Sequence, residues 1–249
     1  MGRTHEALER AEKEFQENLS ETPDDSHKAV VVKRPGKFPM QTPSDRFQEV
    51  KTKLVTSFPL GSVKTILITS PAHGDGSTTT AVSFAKTMAH FCRLNVLLID
   101  ANLRSPRLHE VFNVEYNQGL GDLLTKEEEK ENSLFKKVGH GNLYLITCGK
   151  KNSGPLAIFE SGRFDKTLKQ MREKFDYVIL DAPPVSGYAE TKVMGKKVDG
   201  VILVIESGKT RKQVAIKAKQ ELKDAGAKVL GVILNRRKYY IPEFIYKRL

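Results

Sequence analysis

The stretch Thr65-Ile-Leu-Ile-Thr69-Ser-Pro-Ala-His-Gly74-Asp-Gly76-Ser77-Thr78-Thr79-Thr80-Ala-Val-Ser-Phe-Ala85 decides the fold of this chain. Five residues of apolar and β-branched character read as a strand, a glycine-bearing loop follows, and Thr79 to Phe91 carries helical periodicity. Strand, glycine loop and helix in that order build a phosphate cradle. Gly74 and Gly76 let backbone amides converge, and the helix N-terminus adds its partial positive charge.

The complete phosphate-loop pattern sets a lysine before the Ser or Thr whose hydroxyl takes magnesium, and here Ser77 stands in the lysine's place, followed by Thr78. The charge that should meet the β- and γ-phosphates is absent. A cation about 4 Å from an anionic oxygen contributes roughly 4 kcal/mol near a protein surface. Binding is therefore expected to weaken and phosphoryl transfer to suffer more. Lys64, ahead of the strand, and Lys86, more than a turn into the helix, are not obvious substitutes.

Two further strands end in acids: Val96-Leu-Leu-Ile-Asp100 and Tyr177-Val-Ile-Leu-Asp181. Ligands of open α/β sheets gather at such carboxyl ends. In a nucleotide site these acids order magnesium waters or take a proton from the attacking hydroxyl. Either could instead cap the loop that follows it.

The rest of the pattern alternates apolar runs with helices, which predicts parallel strands buried on both faces. Strands are expected at Thr65 to Thr69, Asn95 to Asp100, Leu143 to Thr147, Tyr177 to Asp181, Val201 to Ile205 and Val229 to Leu234. Helices are expected behind a Ser44 cap (Phe47, Val50, Leu54), at Thr79 to Phe91, Arg163 to Phe175, Glu190 to Lys197, and Thr210 to Ala225 before Gly226. The fold class is α/β, a parallel sheet flanked by helices in a single domain over residues 44–236. Ahead of it, Leu8, Ala11, Phe15 and Leu19 make residues 1–19 an amphipathic helix, and the proline-rich residues 20–43 read as a linker.

Ser70 to Thr79, Asp100-Ala-Asn-Leu-Arg-Ser-Pro-Arg-Leu-His109 and Phe175-Asp-Tyr-Val-Ile-Leu-Asp-Ala-Pro-Pro184 together resemble the Walker A, A′ and B motifs of bacterial tyrosine (BY) kinases, which belong to the MinD/ParA-like P-loop ATPases. The resemblance extends to Asn117 to Leu124, Asp199 to Val204, Gly231 to Arg236 and an opening like Glu6 to Ala11. It implies ATP or ADP held by Gly74, Asp75, Gly76, Ser77, Thr78 and Thr79, with Asn235 and Arg236 against adenine. Mg2+ would rest on Thr78, Asp100 and Asp181, with the two acids as the catalytic pair. It also implies phosphorylation of Tyr239, Tyr240 and Tyr246 in the tail, a membrane-embedded polysaccharide copolymerase or chain-length regulator as partner, and a homo-oligomer. The expected place is cytoplasmic, peripheral at the inner membrane.

The chain departs from that family pattern at Ser77, at Asn102 in place of the second acid of Asp-x-Asp, and at Asp45, Gln48 and Lys51 in place of Glu-x-x-Arg-x-x-Arg. These losses favour a regulator of exopolysaccharide synthesis or export with weak or lost nucleotide binding and kinase activity. The alternatives are an active tyrosine autokinase and, ranked last, a partition-type ATPase that binds DNA or a membrane surface.

The charge balance leaves the anionic partner open. Of a net +11, residues 208–249 carry +9, from twelve basic residues against Glu221, Asp224 and Glu243. Such asymmetry suggests an anionic partner, whether a membrane surface, nucleic acid or an acidic protein face, and a plain solvated basic face serves as well; nucleic acid ranks last because the acidic-site sequence follows the tyrosine-kinase subgroup more closely. The tail mixes its tyrosines with Ile241, Phe244, Ile245 and Leu249, so packing on the domain or on a partner is the alternative to phosphorylation. Cys92 and Cys148 are too few for a disulfide framework or zinc cluster. No apolar run reaches the roughly 18–20 residues that span a bilayer, and no secretory signal opens the chain.

Overall fold

The computed structural model describes residues 30–31, 43–59, 61–125, 134–149 and 154–236. Eight strands form one sheet: β1 (Val30–Val31), β2 (Thr65–Thr69), β3 (Val96–Asp100), β4 (Lys136–Lys137), β5 (Leu143–Ile146), β6 (Tyr177–Asp181), β7 (Gly200–Glu206) and β8 (Val229–Asn235). Their spatial order is β1-β8-β7-β2-β6-β3-β5-β4, and the pairing is parallel except where β4 meets β5.

Eight helices cover the sheet among the described residues: α1 (Pro43–Ser57), α2 (Ser77–His90), α3 (Leu108–Phe112), α4 (Leu120–Thr125), α5 (Pro155–Glu160), α6 (Gly162–Lys174), α7 (Ala189–Lys197) and α8 (Lys212–Asp224). Successive strand residues point to opposite faces, and each face has its own core. Ile66, Ile68, Val96, Leu98, Ile179 and Ile202 pack with Val50 and Leu54 of α1 and with Phe84, Ala85 and Met88 of α2. Leu67, Leu97, Ile99, Val178, Leu180, Val201 and Leu203 pack with Phe164, Leu168 and Met171 of α6, Met194 of α7 and Leu222 of α8. Burial on both faces explains why the strands read as continuous apolar runs.

Several expectations are corrected. Residues 30–31, placed in a linker, form the edge strand β1, pairing in parallel with Gly231 and Val232 of β8. Ser44 does not cap α1, because the helix already begins at Pro43, whose fixed φ and missing N–H suit a first helical position. The short elements α3, α4, α5 and β4 lay outside the predicted set. The expected N-terminal helix over 1–19, the rest of the linker and the tail with Tyr239, Tyr240 and Tyr246 lie outside the described residues. Among the described residues no helix is long and apolar enough to cross a membrane.

Candidate functional site

The parallel order sends the carboxyl ends of β2, β3, β6, β7 and β8 to one edge of the sheet, and the site is assembled there. The chain leaving β2 is fixed first: the Thr69 hydroxyl donates to the Pro183 carbonyl at 2.6 Å, and the Val185 amide donates to the Ser70 carbonyl at 2.8 Å. Gly74 and Gly76 then take φ of +89° and +91°, a left-handed conformation that side chains oppose. Gly76 is the residue before α2, and no side chain caps that helix. The amides of its first turn are left for an anion.

Asp75 is the pin of this loop. Its Oδ1 accepts from the Thr210 hydroxyl at 2.7 Å and its carbonyl accepts from Asn235 Nδ2 at 3.0 Å. Asn235 lies so close that a Cβ on Gly76 would come within 2.2 Å of its Nδ2. Arg236, at φ +52°, donates through Nη1 to the Gly74 carbonyl at 3.3 Å and pairs with Glu206 at 3.2 Å. The resemblance assigns Asn235 and Arg236 to adenine, and here both hold the outer edge of the phosphate loop.

Ser77 and Thr78 sit half-buried in the first turn of α2, whereas the Thr79 side chain is exposed and Thr80 is the buried one. Thr79 therefore offers the cradle its amide rather than its hydroxyl. The Thr78 hydroxyl lies near enough to the Asp181 carboxylate to favour its ionised form.

Asp100 and Asp181 are register partners on the adjacent strands β3 and β6 and are both fully buried. Neighbouring strands lie about 4.8 Å apart, so the two acids share one small volume. Burial pushes the Asp100 carboxyl up to about 6, although the amides of Leu108, Arg107 and Asn102 work against the rise. Those bonds run from Leu108 at 2.9 Å and Arg107 at 3.0 Å to Oδ2, and from Asn102 at 3.3 Å to Oδ1. Asp100 thus also serves the loop-capping alternative, anchoring the start of α3. Burial first, and then the charge of Asp100, push Asp181 up to about 8.

The Asp181 Oδ1 is buried with no hydrogen-bond partner among the described residues. A buried, unpaired carboxylate oxygen requires a proton or a cation. The donor set of Thr78 with two carboxylates fits Mg2+, which takes one or two protein carboxylates and completes its shell with water and phosphate oxygens. No group of three or more His, Cys, Asp or Glu side chains suited to a metal occurs among the described residues.

Sequence reasoning missed the rim. His73 Nε2 meets the Tyr188 hydroxyl at 2.7 Å, Arg104 stacks 5.6 Å over the Tyr188 ring, and Arg104 pairs with the buried Glu190. On the opposite side, Glu206 ends β7, which lies beside β2, and Lys209 and Thr210 follow it. His73 stands inside the decisive loop and could have been found there. The others are brought to it by sheet order, which no local pattern carries.

A sequence profile for the AAA domain family matches residues 63–213. The tyrosine-protein kinase YwqD of Bacillus subtilis (strain 168) is 32% identical over 200 residues, spanning 80% of this chain and 84% of that protein. The crystal structure of the chimerical protein CapA2B2 superposes with a TM-score of 0.74 at 28% identity, covering 80% of this chain and 87% of that one. The septum site-determining protein MinD of Pyrococcus horikoshii OT3, solved with Mg-ADP, shares the fold at a TM-score of 0.60 and 22% identity, over 75% of this chain and 76% of that chain. With the glycine loop and the two buried strand-end acids set out as above, the chain belongs to the bacterial tyrosine kinase (BY-kinase) family of P-loop ATPases.

Proposed function

We propose that this protein is a BY-kinase-like regulator of exopolysaccharide or capsule synthesis or export in which nucleotide binding and tyrosine-kinase activity are weakened. It works at the cytoplasmic face of the inner membrane with a membrane-embedded polysaccharide copolymerase. One observation carries the reading: the cradle keeps its left-handed glycines, its open helix amides, Thr78, Asp100 and Asp181, but has Ser77 where the lysine belongs. Gly74, Asp75, Gly76, Ser77, Thr78 and Thr79 receive the phosphates of ATP or ADP through backbone amides. Asn235 and Arg236 fix the loop's outer edge.

Bound Mg2+ would neutralise phosphate charge. The protein's own part is to hold it with Thr78 and the two acids and to keep Asp181 buried, so that ionisation of the carboxylate is disfavoured until a cation is present. The acceptor tyrosines of the reading are Tyr239, Tyr240 and Tyr246. Without a lysine at position 77 to meet the β- and γ-phosphates, transition-state charge is stabilised less than ground-state binding suggests, so transfer suffers more than affinity.

Calorimetry with ATP and ADP, with and without Mg2+, paired with incubation in labelled ATP, tests the proposal. Micromolar or weaker affinity dependent on Mg2+ is expected, with little or no phosphotyrosine. Submicromolar ATP binding or rapid autophosphorylation would overturn it.

A further inference from the structure

The cradle lacks a lysine at position 77 but has one above it. Lys209 follows β7, and its Nζ would lie 2.9 Å from a Cβ built on Gly74, so the ammonium already rests against the phosphate loop. Successive Cα atoms are about 3.8 Å apart, and Asp75, Gly76 and Ser77 are the first, second and third residues beyond Gly74, so their amides follow within roughly three residue lengths of it. Two tethers hold the segment in place: the Thr210 hydroxyl on Asp75 Oδ1 at 2.7 Å, and the neighbouring strands β7 and β2. The Lys209 side chain is 55% exposed, so its four-carbon stem is free to swing.

The ammonium has a local counter-ion. Glu206 Oε2 accepts from Lys209 at 3.1 Å and from Arg236 at 3.2 Å, while Arg236 also reaches the Gly74 carbonyl. One carboxylate thus balances two cations at the lip of an anion cradle. An arriving polyphosphate offers Lys209 a stronger partner than the half-buried Glu206 does, because it brings more charge and more acceptor oxygens.

We infer that Lys209 is the relocated cation of this phosphate loop, reaching over Gly74 to polyphosphate oxygens and restrained by Glu206 while the cradle is empty. The inference rests on the reading of residues 74–79 as a nucleotide-phosphate site. It assigns Lys209 a ligand class, the di- or triphosphate of a nucleotide, and it makes Glu206 a competitor for that lysine.

The test is calorimetric affinity for ADP with Mg2+, and for inorganic pyrophosphate, across Lys209→Met, Lys209→Arg, Glu206→Gln, Ser77→Lys and the double variant Ser77→Lys/Lys209→Met. Lys217→Met, on an exposed part of α8, controls for general surface charge. Losing one charge-assisted contact should weaken both ligands by about tenfold in Lys209→Met, with Lys209→Arg retaining most of the affinity. Glu206→Gln should tighten binding several-fold, and Lys217→Met should leave it within about twofold. In the Ser77→Lys background the Lys209→Met loss should shrink to below about threefold, since the two ammonium groups serve the same oxygens.

Unchanged affinity in Lys209→Met would overturn the inference. So would an unaltered protein that binds neither ligand at millimolar concentration while Ser77→Lys does, because the cradle would then exist without Lys209 serving it. If Ser77→Lys also fails to bind, the phosphate-site reading falls and the inference falls with it.

Discussion

The two ends of the sheet each hold a buried or nearly buried aspartate, and the two are treated in opposite ways. At the amino-terminal end, Asp199 Oδ2 accepts from the amides of Lys64 and Thr65 at 2.9 and 2.8 Å, and Oδ1 pairs with Arg172 at 2.6 Å. Every oxygen has a donor, and the carboxylate stitches β2 to β7. At the carboxyl end, Asp181 has a like charge as its register partner and an Oδ1 with no donor. The first arrangement stabilises the fold through hydrogen bonds to a charged group; the second opposes folding unless a proton or cation completes it. The contrast separates a structural carboxylate from a ligand-seeking one without reference to any relative.

The contrast can be broken most strongly at the amino end. Asp199→Ala leaves two strand amides and Arg172 without their acceptor, which should destabilise the protein by about 3 kcal/mol. At about 2–4 °C per kcal/mol for a domain of this size, the melting temperature should drop by roughly 6–12 °C. Nucleotide affinity of the folded variant should stay unchanged, since the site lies at the other end.

Asp181→Asn should act in the opposite direction and with pH. The folded-state pKa of Asp181 is raised from the ordinary 3.8 to about 8. Between those values the folded protein holds a proton that the unfolded chain has released, so stability falls as pH rises through that window. Asparagine removes the penalty. The variant's melting temperature should exceed that of the unaltered protein by about 5 °C at pH 8 and by little at pH 4, read by scanning calorimetry without Mg2+. An equal gain at both pH values would mean that Asp181 carries no buried charge to relieve.

Ser77→Lys sharpens the comparison by giving the carboxyl end what it lacks. Affinity for ADP with Mg2+ should rise by about 10- to 100-fold, the equivalent of roughly 1.5–3 kcal/mol for hydrogen bonds to charged groups. The ligand-free melting temperature should barely move. The smallest single effect is expected of Asn102→Asp. Asn102 Oδ1 already accepts from the Ser105 amide at 3.1 Å, and an aspartate can keep that bond. Affinity should shift by less than about threefold. In combination with Ser77→Lys, phosphorylation of Tyr239, Tyr240 or Tyr246 from labelled ATP should appear at a rate above the product of the single effects, as for groups acting on one transition state.

Much of the fold was legible because the decisive strands are long enough to show their character and are buried on both faces. Thr65–Thr69 and Tyr177–Asp181 match their expected bounds, β3, β5 and β8 differ by one residue at one end, and β7 is longer by one residue at each end. The strands β1 and β4, two residues each, carry no periodicity, and helices of five or six residues such as Leu108–Phe112 and Leu120–Thr125 are shorter than two turns of amphipathic pattern. The site divides in the same way. The glycine loop, Asp100 and Asp181 are each announced by the strand that precedes them. Glu206, Lys209 and Thr210 look like an ordinary connection until β7 is seen beside β2, and Tyr188 gains meaning only from its contact with His73.

The pinning of Asp75 has an evolutionary consequence. The loop's curvature is enforced from outside, by Thr210, Asn235 and Arg236 against Asp75 and Gly74, and none of these contacts involves the side chain at position 77. The loop's shape therefore does not depend on the side chain at that position. A lineage can discard the catalytic ammonium and keep an intact cradle, so descendants retain a ready-made anion receptor that later selection can redirect toward signalling, scaffolding or renewed catalysis.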